Sequence, residues 1–260
     1  MSRAHLPVRG VAVVVPAHDE QTLIGPCLDA LAVSVDAVAR DDLGVVVTVV
    51  LDRCTDGTAD VVRDTVRRRF RPGTVATLVS GTPRTVGELR TLGLDDGFRR
   101  LGCAADRTVP TDRVWLLSTD ADTRVPPTWI RDHLRLADAG ADAVVGLVDL
   151  DGFHELPTDV QCRYTAIVDA GTTVDAHTHA YAANLGVRAD AFVAAGGFPV
   201  VAAGEEHALL AQLRAAGRRV ATPLDLCVHT SARTRGRAAG GLADLLRDLA
   251  RVGGVRAEPG

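Results

Sequence analysis

Residues 11–20 read VAVVVPAHDE, and this stretch decides the fold. Its first five residues are apolar and mostly β-branched, and Pro16 ends the run, which is typical of a strand buried on both faces of a parallel sheet. An acidic turn through Asp19 and Glu20 follows, and apolar residues then recur at helical spacing from Leu23 to Val35. The stretch therefore predicts a strand, a polar loop and a helix, in that order.

The same order of elements recurs along the chain. Further apolar runs at 45–51, 75–79 and 114–117 predict strands, and helical patterns follow them at 59–70, 86–101 and 129–139. Repeated strand and helix units with short polar loops indicate right-handed crossovers. We therefore predict one α/β domain with a doubly wound, mostly parallel sheet and flanking helices. Beyond these units, strands are expected at 143–150, 185–187 and from 220 to 228, and helices at 189–195, 205–216 and 242–252.

Aspartates follow three of the first four predicted strands. Asp19 comes after the first, Asp52 and Asp56 after the second, and Asp120 and Asp122 after the fourth. Ligands of such sheets bind beyond the carboxyl ends of the strands. The pair after the fourth strand is either a solvated acidic turn that caps a helix or a site for Mg²⁺ or Mn²⁺ bound to diphosphate oxygens. The aspartates at the neighbouring strand ends favour the metal.

Composition argues against several classes of function. The 29 basic residues, all arginine, are outnumbered by 33 acidic ones among 260 residues, so the net charge is -4. Nucleic acid is therefore not an expected partner, because phosphate neutralisation needs a basic surface. The loops after the first two strands lack GxGxxG, and a chain without lysine has no P-loop. Phosphates would then be held by a metal and by arginine.

Location is predicted from the apolar runs and the cysteines. No signal-peptide pattern opens the chain, and nowhere do about 18 apolar residues run together to span a bilayer. The five cysteines include no CxxC pair, which is typical of a reducing compartment. We expect a cytoplasmic protein without a transmembrane segment. Peripheral association with a membrane and a homo-oligomer both remain compatible with the sequence.

Five motifs occur in a fixed order between residues 10 and 230. They are VVVPAHDE at 13–20, DRCTDGT at 52–58, Arg90 with Gly93, DAD at 120–122, and GGF at 196–198 with Glu205 and Glu206. Each is weak alone, but the ordered set is specific, and it resembles the GT-A glycosyltransferases of family two. The resemblance implies a metal-dependent hexosyltransferase with a GT-A-like fold. Its donor would be a nucleotide diphosphate sugar, and its acceptor a small molecule or a lipid-linked one.

The resemblance also implies roles for residues in the first half of the chain. The first loop would hold the base and ribose of the nucleotide, and Asp52 would hydrogen-bond a uracil-type base. Arg90 would lie near the diphosphate, and Asp120 would assist at the ribose. Asp122 and the late His229 would bind Mg²⁺ or Mn²⁺. The loop residues assigned to the substrate are Pro16, Ala17, His18 and Glu20.

Glu206 is the catalytic residue that the resemblance implies. In inverting members a carboxylate of a Glu-Asp pair is the general base that deprotonates the acceptor, and this chain has Glu205 and Glu206 instead. Glu205 is assigned to the substrate, although it would face elsewhere on the helix. The alternative is that Glu206 is only an acid favoured by the helix macrodipole, and a retaining mechanism would need no such base.

Two later stretches complete the expected substrate contacts. Asn184 lies where family members meet the sugar or the acceptor, and His177, His179 and Tyr181 alternate so that one strand face would carry all three. A two-histidine metal site is the alternative there, but it lacks a third ligand. Arg235 belongs to an arginine segment, 233–237, that is either a lid over the diphosphate or a solvated loop.

The predicted domain division follows from these assignments. Residues 1–235 form the glycosyltransferase domain, with a nucleotide-binding half at 1–122 and an acceptor-side half at 123–235. Residues 236–260 form a C-terminal helix and tail. Two other functions stay open: a degenerate transferase that binds a nucleotide without turnover, and a nucleotidyltransferase that makes the sugar nucleotide. The second would want a glycine-rich first loop and an activating lysine, and this chain has neither.

Overall fold

A computed structural model describes residues 6–38, 42–104, 109–234, 236 and 240–253. Its strands are β1 (Gly10–Ala17), β2 (Gly44–Asp52), β3 (Val75–Ser80), β4 (Val114–Ser118), β5 (Thr123–Arg124), β6 (Ala143–Val145), β7 (Leu147–Asp151), β8 (Leu185–Arg188), β9 (Val220–Ala221) and β10 (Cys227–Ser231). Its α-helices are α1 (Ile24–Asp36), α2 (Thr58–Arg69), α3 (Val86–Ala104), α4 (Trp129–Asp138), α5 (Thr158–Ala170), α6 (Ala189–Ala194), α7 (Glu205–Ala215) and α8 (Leu242–Gly253).

The main sheet has seven strands in the order β3-β2-β1-β4-β8-β6-β9. β1 lies between β2 and β4 and is parallel to both, so Val13 is level with Val47 on one side and with Leu117 on the other. β8 runs antiparallel to its neighbours β4 and β6. The mostly parallel sheet predicted from the sequence is confirmed.

Helices cover both faces of this sheet. The odd-numbered valines of β1, such as Val13, pack with α1 and α4 in one core, which includes Ile24 and Trp129. Val14 points to the opposite face and packs with α3 and α7, which contribute Leu89 and others. Because side chains alternate along a strand, a continuous apolar run supplies both cores at once.

Two strands that the sequence suggests as continuous are each divided between two sheets. Residues 143–150 separate at Gly146 into β6 in the main sheet and β7 in a small sheet of order β5-β10-β7. A Cβ at Gly146 would collide with the amide of Asn184 and the carbonyl of Leu226, so glycine permits the close approach. The stretch 220–228 likewise divides into β9 and β10.

The helices α5 and α8 pack together beside the small sheet. Val160 and Tyr164 of α5 and Leu246 of α8 are buried in one apolar cluster. The C-terminal helix predicted at 242–252 is thus docked on α5, which the sequence pattern does not reveal. Among the described helices, none has the length and apolar character needed to cross a bilayer.

Candidate active site

A cavity of about 560 Å³ opens beyond the carboxyl ends of β1, β2 and β4, a size typical of small-molecule sites. Its walls come from the loops after these strands, from the starts of α3 and α7, and from the end of β10. The expected site residues that line it are Pro16, Ala17, His18, Glu20, Asp52, Arg90, Asp120, Asp122, Glu205 and Glu206. The fold therefore brings together residues that lie almost 200 positions apart.

The loops after β1 and β2 are joined by Asp19. Its carboxylate accepts hydrogen bonds from the backbone N–H of Thr55 at 2.6 Å and of Asp56 at 3.3 Å. The bond from Thr55 is the main cause of a lowered pKa at Asp19. Both loops contain a residue with left-handed backbone, Asp19 with φ of 52° and Arg53 with φ of 46°. Such non-glycine conformations cluster at functional sites, where the surrounding structure holds them.

Asp52 ends β2 with a buried carboxylate at the cavity wall. The guanidinium of Arg53 donates to it through Nη2 at 2.9 Å and through Nε at 3.2 Å. The backbone carbonyl of Asp52 lies 2.5 Å from Nδ1 of His18, so the first and second loops meet here as well. The Asp52 carboxylate is thereby oriented at the cavity wall.

Arg90 of α3 is buried and crosses between the two ends of the cavity. Its Nη1 donates to Oγ of Ser118 at 2.9 Å, and its Nη2 lies 2.8 Å from Oδ1 of Asp120. Its Nε is 3.5 Å from Oε1 of Glu205. Burial opposes the charge of this arginine, but the carboxylates of Asp120 and Glu205 outweigh burial and raise its pKa. Arg90 therefore stays charged and fixes two acidic side chains.

Asp122 presents a carboxylate that is only 13% exposed. Its Oδ2 lies 2.8 Å from Nη2 of Arg233, and Oγ1 of Thr230 donates to its Oδ1 at 3.4 Å. Burial raises the pKa of Asp122 to about 6, and the neighbouring carboxylate of Asp120 adds to the effect, whereas Arg233 opposes it. A cation beside this group favours its charged form.

Glu205 and Glu206 open α7 after Gly204, whose φ of 74° is left-handed. Glu205 is buried against Arg90, and Gly87 admits it, since a Cβ at Gly87 would lie 3.1 Å from the Cβ of Glu205. Glu206 faces a different direction, with Oε1 at 3.5 Å from Nδ1 of His207. Burial, and then the charge of Glu205, raise the pKa of Glu206. Both acids line the cavity, but their environments differ.

His229, the second expected metal ligand, does not contact Asp122. Its Nδ1 lies 3.5 Å from Oδ2 of Asp149 on the neighbouring strand β7, and its side chain is half exposed outside the cavity lining. Thr230, the next residue of β10, contacts Asp122 instead. Because side chains alternate along a strand, Thr230 and His229 face opposite sides.

Asn184 lies outside the cavity lining, in contrast to the expected substrate contact. It is fully buried, and its Oδ1 accepts from Nε1 of Trp129 at 2.8 Å and lies 3.2 Å from Nε2 of His133. Its Nδ2 donates to the carbonyls of Leu147 and Leu226. All four hydrogen bonds of the amide are used inside the protein, which leaves none for a ligand.

Replacement of this amide is expected to affect stability. Asn184→Ala should lower the free energy of unfolding by about 3 kcal/mol, because it leaves buried donors and acceptors unpaired. Chemical denaturation measures the loss, and Gln212→Ala, on the exposed side of α7, is the control. A folded variant with unchanged stability but weakened nucleotide binding would contradict the structural role and restore the substrate role.

His177, His179 and Tyr181 stack their rings on one another. Their alternation predicted one shared strand face, but the segment is not a regular strand. The rings of His177 and His179 are 5.7 Å apart, and those of His179 and Tyr181 are 5.8 Å apart, each pair inclined by 23°. Tyr181 lines the cavity, whereas the imidazoles lie next to the backbone carbonyls of Val145 and Val168. Arg235 falls outside the described residues.

Several residues that line the cavity were not predicted from the sequence. Arg53 belongs to the DRCTDGT motif, and its position directly after Asp52 in the sequence is a signal that could have identified it as a lining residue. Arg84 stands in an irregular loop before α3, where nothing in the local pattern marks it. Thr230 and Ser231 follow His229, but the register of β10 decides which of these residues face the cavity.

The donor set around Asp122 suits a hard divalent cation. Asp120 and Asp122 offer carboxylate oxygens, and Mg²⁺ or Mn²⁺ is commonly bound by one or two carboxylates together with phosphate oxygens and water. Within the described part of the chain, no group of three histidine, cysteine, aspartate or glutamate side chains is arranged to hold an ion by itself. A metal here would take its further ligands from water or from a bound substrate.

The mixed α/β domain with its mostly parallel central sheet matches the fold of GT-A-type glycosyltransferases. A model of the glycosyltransferase-like family 2 matches residues 7–235, and the chain belongs to this family of glycosyltransferases. The resemblance seen in the motifs is thereby confirmed. A comparison with curated proteins finds no match.

Solved structures of the same class superpose on the chain. A mannosyltransferase from Pyrobaculum calidifontis, in complex with GDP-Man and Mn²⁺, is 21% identical with a TM-score of 0.65, over 100% of this chain and 68% of that one. TarS 1-349 from S. aureus, in complex with UDP, is 14% identical with a TM-score of 0.58, over 93% and 70%. The chain spans only 36% of a longer TarS structure. At these identities the likeness establishes the GT-A fold.

Proposed function

We propose that the protein is a metal-dependent hexosyltransferase that moves a sugar from a nucleotide diphosphate sugar to an acceptor hydroxyl. The observation that carries the proposal is the convergence of Asp52, Arg90, Asp122 and Glu206 on one cavity. They supply an acceptor for a base, a fixed positive charge, a buried carboxylate for a cation and an acid with a raised pKa. GDP-Man with Mn²⁺ in one structural neighbour and UDP in another support the choice of donor class.

The nucleotide end of the cavity is formed by the first two loops. Pro16, Ala17 and His18 provide a wall, and the oriented carboxylate of Asp52 accepts a hydrogen bond from the base. Glu20 is engaged by Arg233 and supports this wall from the side of the small sheet. The residues that recognise the nucleotide are thus fixed by the protein before a ligand arrives, which lowers the ordering cost of binding.

Removal of the Asp52 carboxylate is expected to weaken nucleotide binding. Asp52→Ala should raise the Kd for UDP or GDP about tenfold or more, since a hydrogen bond to a charged group contributes roughly 1.5–3 kcal/mol. Isothermal titration calorimetry with and without Mn²⁺ should show that the response to metal persists. Asp60→Ala, at an exposed position of α2, is the control. Unchanged affinity and unchanged base preference in Asp52→Ala would contradict the assignment.

The diphosphate would lie next to the aspartates that follow β4 and near Arg90. A divalent cation bound there would neutralise the charge that develops on the leaving diphosphate. Asp122 is the principal ligand that we assign, and Asp120, held by Arg90 at 2.8 Å, would assist at the ribose. His229 stays a prediction as a metal ligand, which would require its side chain to leave Asp149.

Glu206 is assigned as the general base of an inverting transfer. It lines the cavity at the N-terminus of α7. Its raised pKa brings it nearer to the pH at which a base both is deprotonated and accepts protons readily. In this role it takes the proton of the acceptor hydroxyl as the acceptor oxygen attacks the anomeric carbon, and the bond from that carbon to the diphosphate breaks so that the nucleoside diphosphate leaves.

The pH profile of the reaction should carry the signature of this group. A base is active only when deprotonated, so kcat/KM should fall as pH decreases through a pKa above the usual value for glutamate. Steady-state rates between pH 4 and 8, under saturating metal, measure this limb. A limb at the ordinary glutamate value, or a flat profile, would contradict the assignment of Glu206.

The acceptor is proposed as a class only: a small molecule or a lipid-linked one, with the enzyme in the cytoplasm or at a membrane surface. A calorimetric titration with UDP, GDP and TDP in the presence of Mn²⁺ tests the donor side of the proposal. One nucleotide should bind more tightly with the metal than without it. Failure of all three to bind would contradict the proposed function, whereas binding without any turnover would favour the degenerate nucleotide-binding protein.

A further inference from the structure

Arg233 connects two acidic side chains that are far apart in the sequence. Its guanidinium donates to both carboxylate oxygens of Glu20, with Nη1 to Oε2 at 2.8 Å and Nη2 to Oε1 at 2.7 Å. The same Nη2 lies 2.8 Å from Oδ2 of Asp122. The two acids are 6% and 13% exposed, and Arg233 itself is 26% exposed. One cation is therefore shared by two largely buried carboxylates.

The guanidinium of Arg233 contacts the carboxylate that the proposed function assigns to a divalent cation. Oδ2 of Asp122 carries the short contact to Arg233, and Oδ1 is approached by Thr230. A metal that takes Asp122 as a ligand competes with the guanidinium for the same carboxylate, and two cations repel each other at such short range.

We propose that Arg233 occupies the cation position of the ligand-free enzyme, and that a divalent metal binds Asp122 only by displacing this guanidinium. The inference rests on the proposed function, because it takes Asp122 as the metal ligand. Its consequence is that the free enzyme binds metal weakly, and that nucleotide and metal enter together, since diphosphate oxygens add ligands and charge that favour the metal over arginine.

Arg233 lies beyond the hydrogen-bonded ladder of the small sheet. Arg233 follows β10 by two residues, beyond the last ladder pair of that strand, and its N–H donates to Oγ of Ser231 at 3.3 Å. A rotation of the side chain separates it from Asp122 without disturbing the sheet. Glu20 can keep its hydrogen bond from Nη1 of Arg233 while Nη2 leaves Asp122, because the two contacts involve different nitrogens and different carboxylates.

Binding of Mn²⁺ in the absence of nucleotide tests the proposal. Electron paramagnetic resonance of the free Mn²⁺ signal gives the Kd for the wild type, Arg233→Ala and Arg233→Gln. Both variants should bind Mn²⁺ about tenfold more tightly, which corresponds to one charge-assisted hydrogen bond that no longer competes. Circular dichroism and thermal unfolding verify that each variant is folded. Unchanged or weaker Mn²⁺ binding in the folded variants would overturn the proposal.

A matched control separates direct competition from a general change of charge. Arg124 lies two residues after Asp122, on β5, and pairs with Asp151 through Nη2 at 2.7 Å outside the cavity lining. Arg124→Ala removes the same charge close to the same loop, and it should leave the Kd for Mn²⁺ nearly unchanged. If Arg124→Ala tightens Mn²⁺ binding as much as Arg233→Ala, the effect is long-range electrostatics, and the proposal fails.

Two further measurements keep this inference distinct from the proposed function. In the wild type, nitrogen-edited NMR of arginine side chains should show the Arg233 Nε–H signal shifting as diamagnetic Mg²⁺ is added with UDP or GDP, and an unmoved signal at saturation would overturn the inference.

Asp122→Asn should abolish Mn²⁺ binding. If it does so while Arg233→Ala has no effect, the metal site stands and only the role of Arg233 is refuted. If Asp122→Asn leaves Mn²⁺ binding intact, the proposed metal site itself is refuted.

Discussion

Asp122→Asn is expected to abolish metal-dependent nucleotide binding and to lower turnover by roughly 10³-fold or more, which is the scale of several kcal/mol of lost charge stabilisation. The substitution keeps the volume of the side chain and removes its charge. The carboxylate of Asp122 is largely buried beside Asp120. A bound cation therefore stabilises its charged form strongly, because it offsets both the burial and the repulsion between the two carboxylates. Titration of UDP and GDP with and without Mn²⁺ measures the binding, and release of nucleoside diphosphate measures the turnover.

The control for this variant is Asp151→Asn. Asp151 ends β7 and pairs with Arg124 at an exposed position outside the cavity lining, so its substitution removes one carboxylate near the small sheet. Nucleotide and metal binding should be retained. An Asp122→Asn variant that is folded and still shows the wild-type gain in UDP or GDP affinity on addition of Mn²⁺ would contradict the metal assignment.

Glu206→Gln is expected to lower kcat by about 10²–10⁴-fold while donor binding persists, the range that a general base contributes. Glutamine keeps the size and the hydrogen-bonding reach of the side chain but does not accept the proton of the acceptor. The raised pKa of Glu206, caused by burial and by Glu205, is lost together with the charge. Single-turnover kinetics and a calorimetric Kd for the donor separate the chemical step from binding.

The neighbouring Glu205 gives a different expectation. Its carboxylate is buried against Arg90, so Glu205→Gln should disturb the orientation of Arg90 and weaken donor binding. The exposed Glu155→Gln should change neither quantity.

Full activity in Glu206→Gln would remove the base assignment and favour a retaining mechanism or a non-catalytic protein. Equal losses of kcat in Glu205→Gln and Glu206→Gln, with donor binding intact in both, would also contradict it.

The first half of the fold is readable from the sequence because local patterns determine it. The valine runs of β1 and β2 are long, continuous and followed directly by aspartate, so both the strand and its ligand-facing end are visible. The second half is less readable. Thr158–Ala170 forms α5 although only Val160 and Tyr164 of that helix are buried, which leaves little periodicity to detect.

The lining of the cavity could be predicted where one loop holds both the strand end and the lining side chain, as with Asp52, Asp120 and Asp122. It could not be predicted where distant segments meet. Arg233 reaches Glu20 across 213 positions, and no local pattern encodes that contact. His229 and Thr230 are adjacent, and the register of β10 against β7 sets which one faces Asp122. Register of this kind depends on tertiary packing.

The most direct test of the account is the release of nucleoside diphosphate from a panel of UDP-, GDP- and TDP-hexoses, measured with Mn²⁺ and again with excess EDTA. The account predicts release from at least one donor, which depends on Mn²⁺, is suppressed by EDTA and is lost in Asp122→Asn. Release that is equal with and without the metal, or no release from any donor although a nucleotide binds, would contradict a metal-dependent glycosyltransferase.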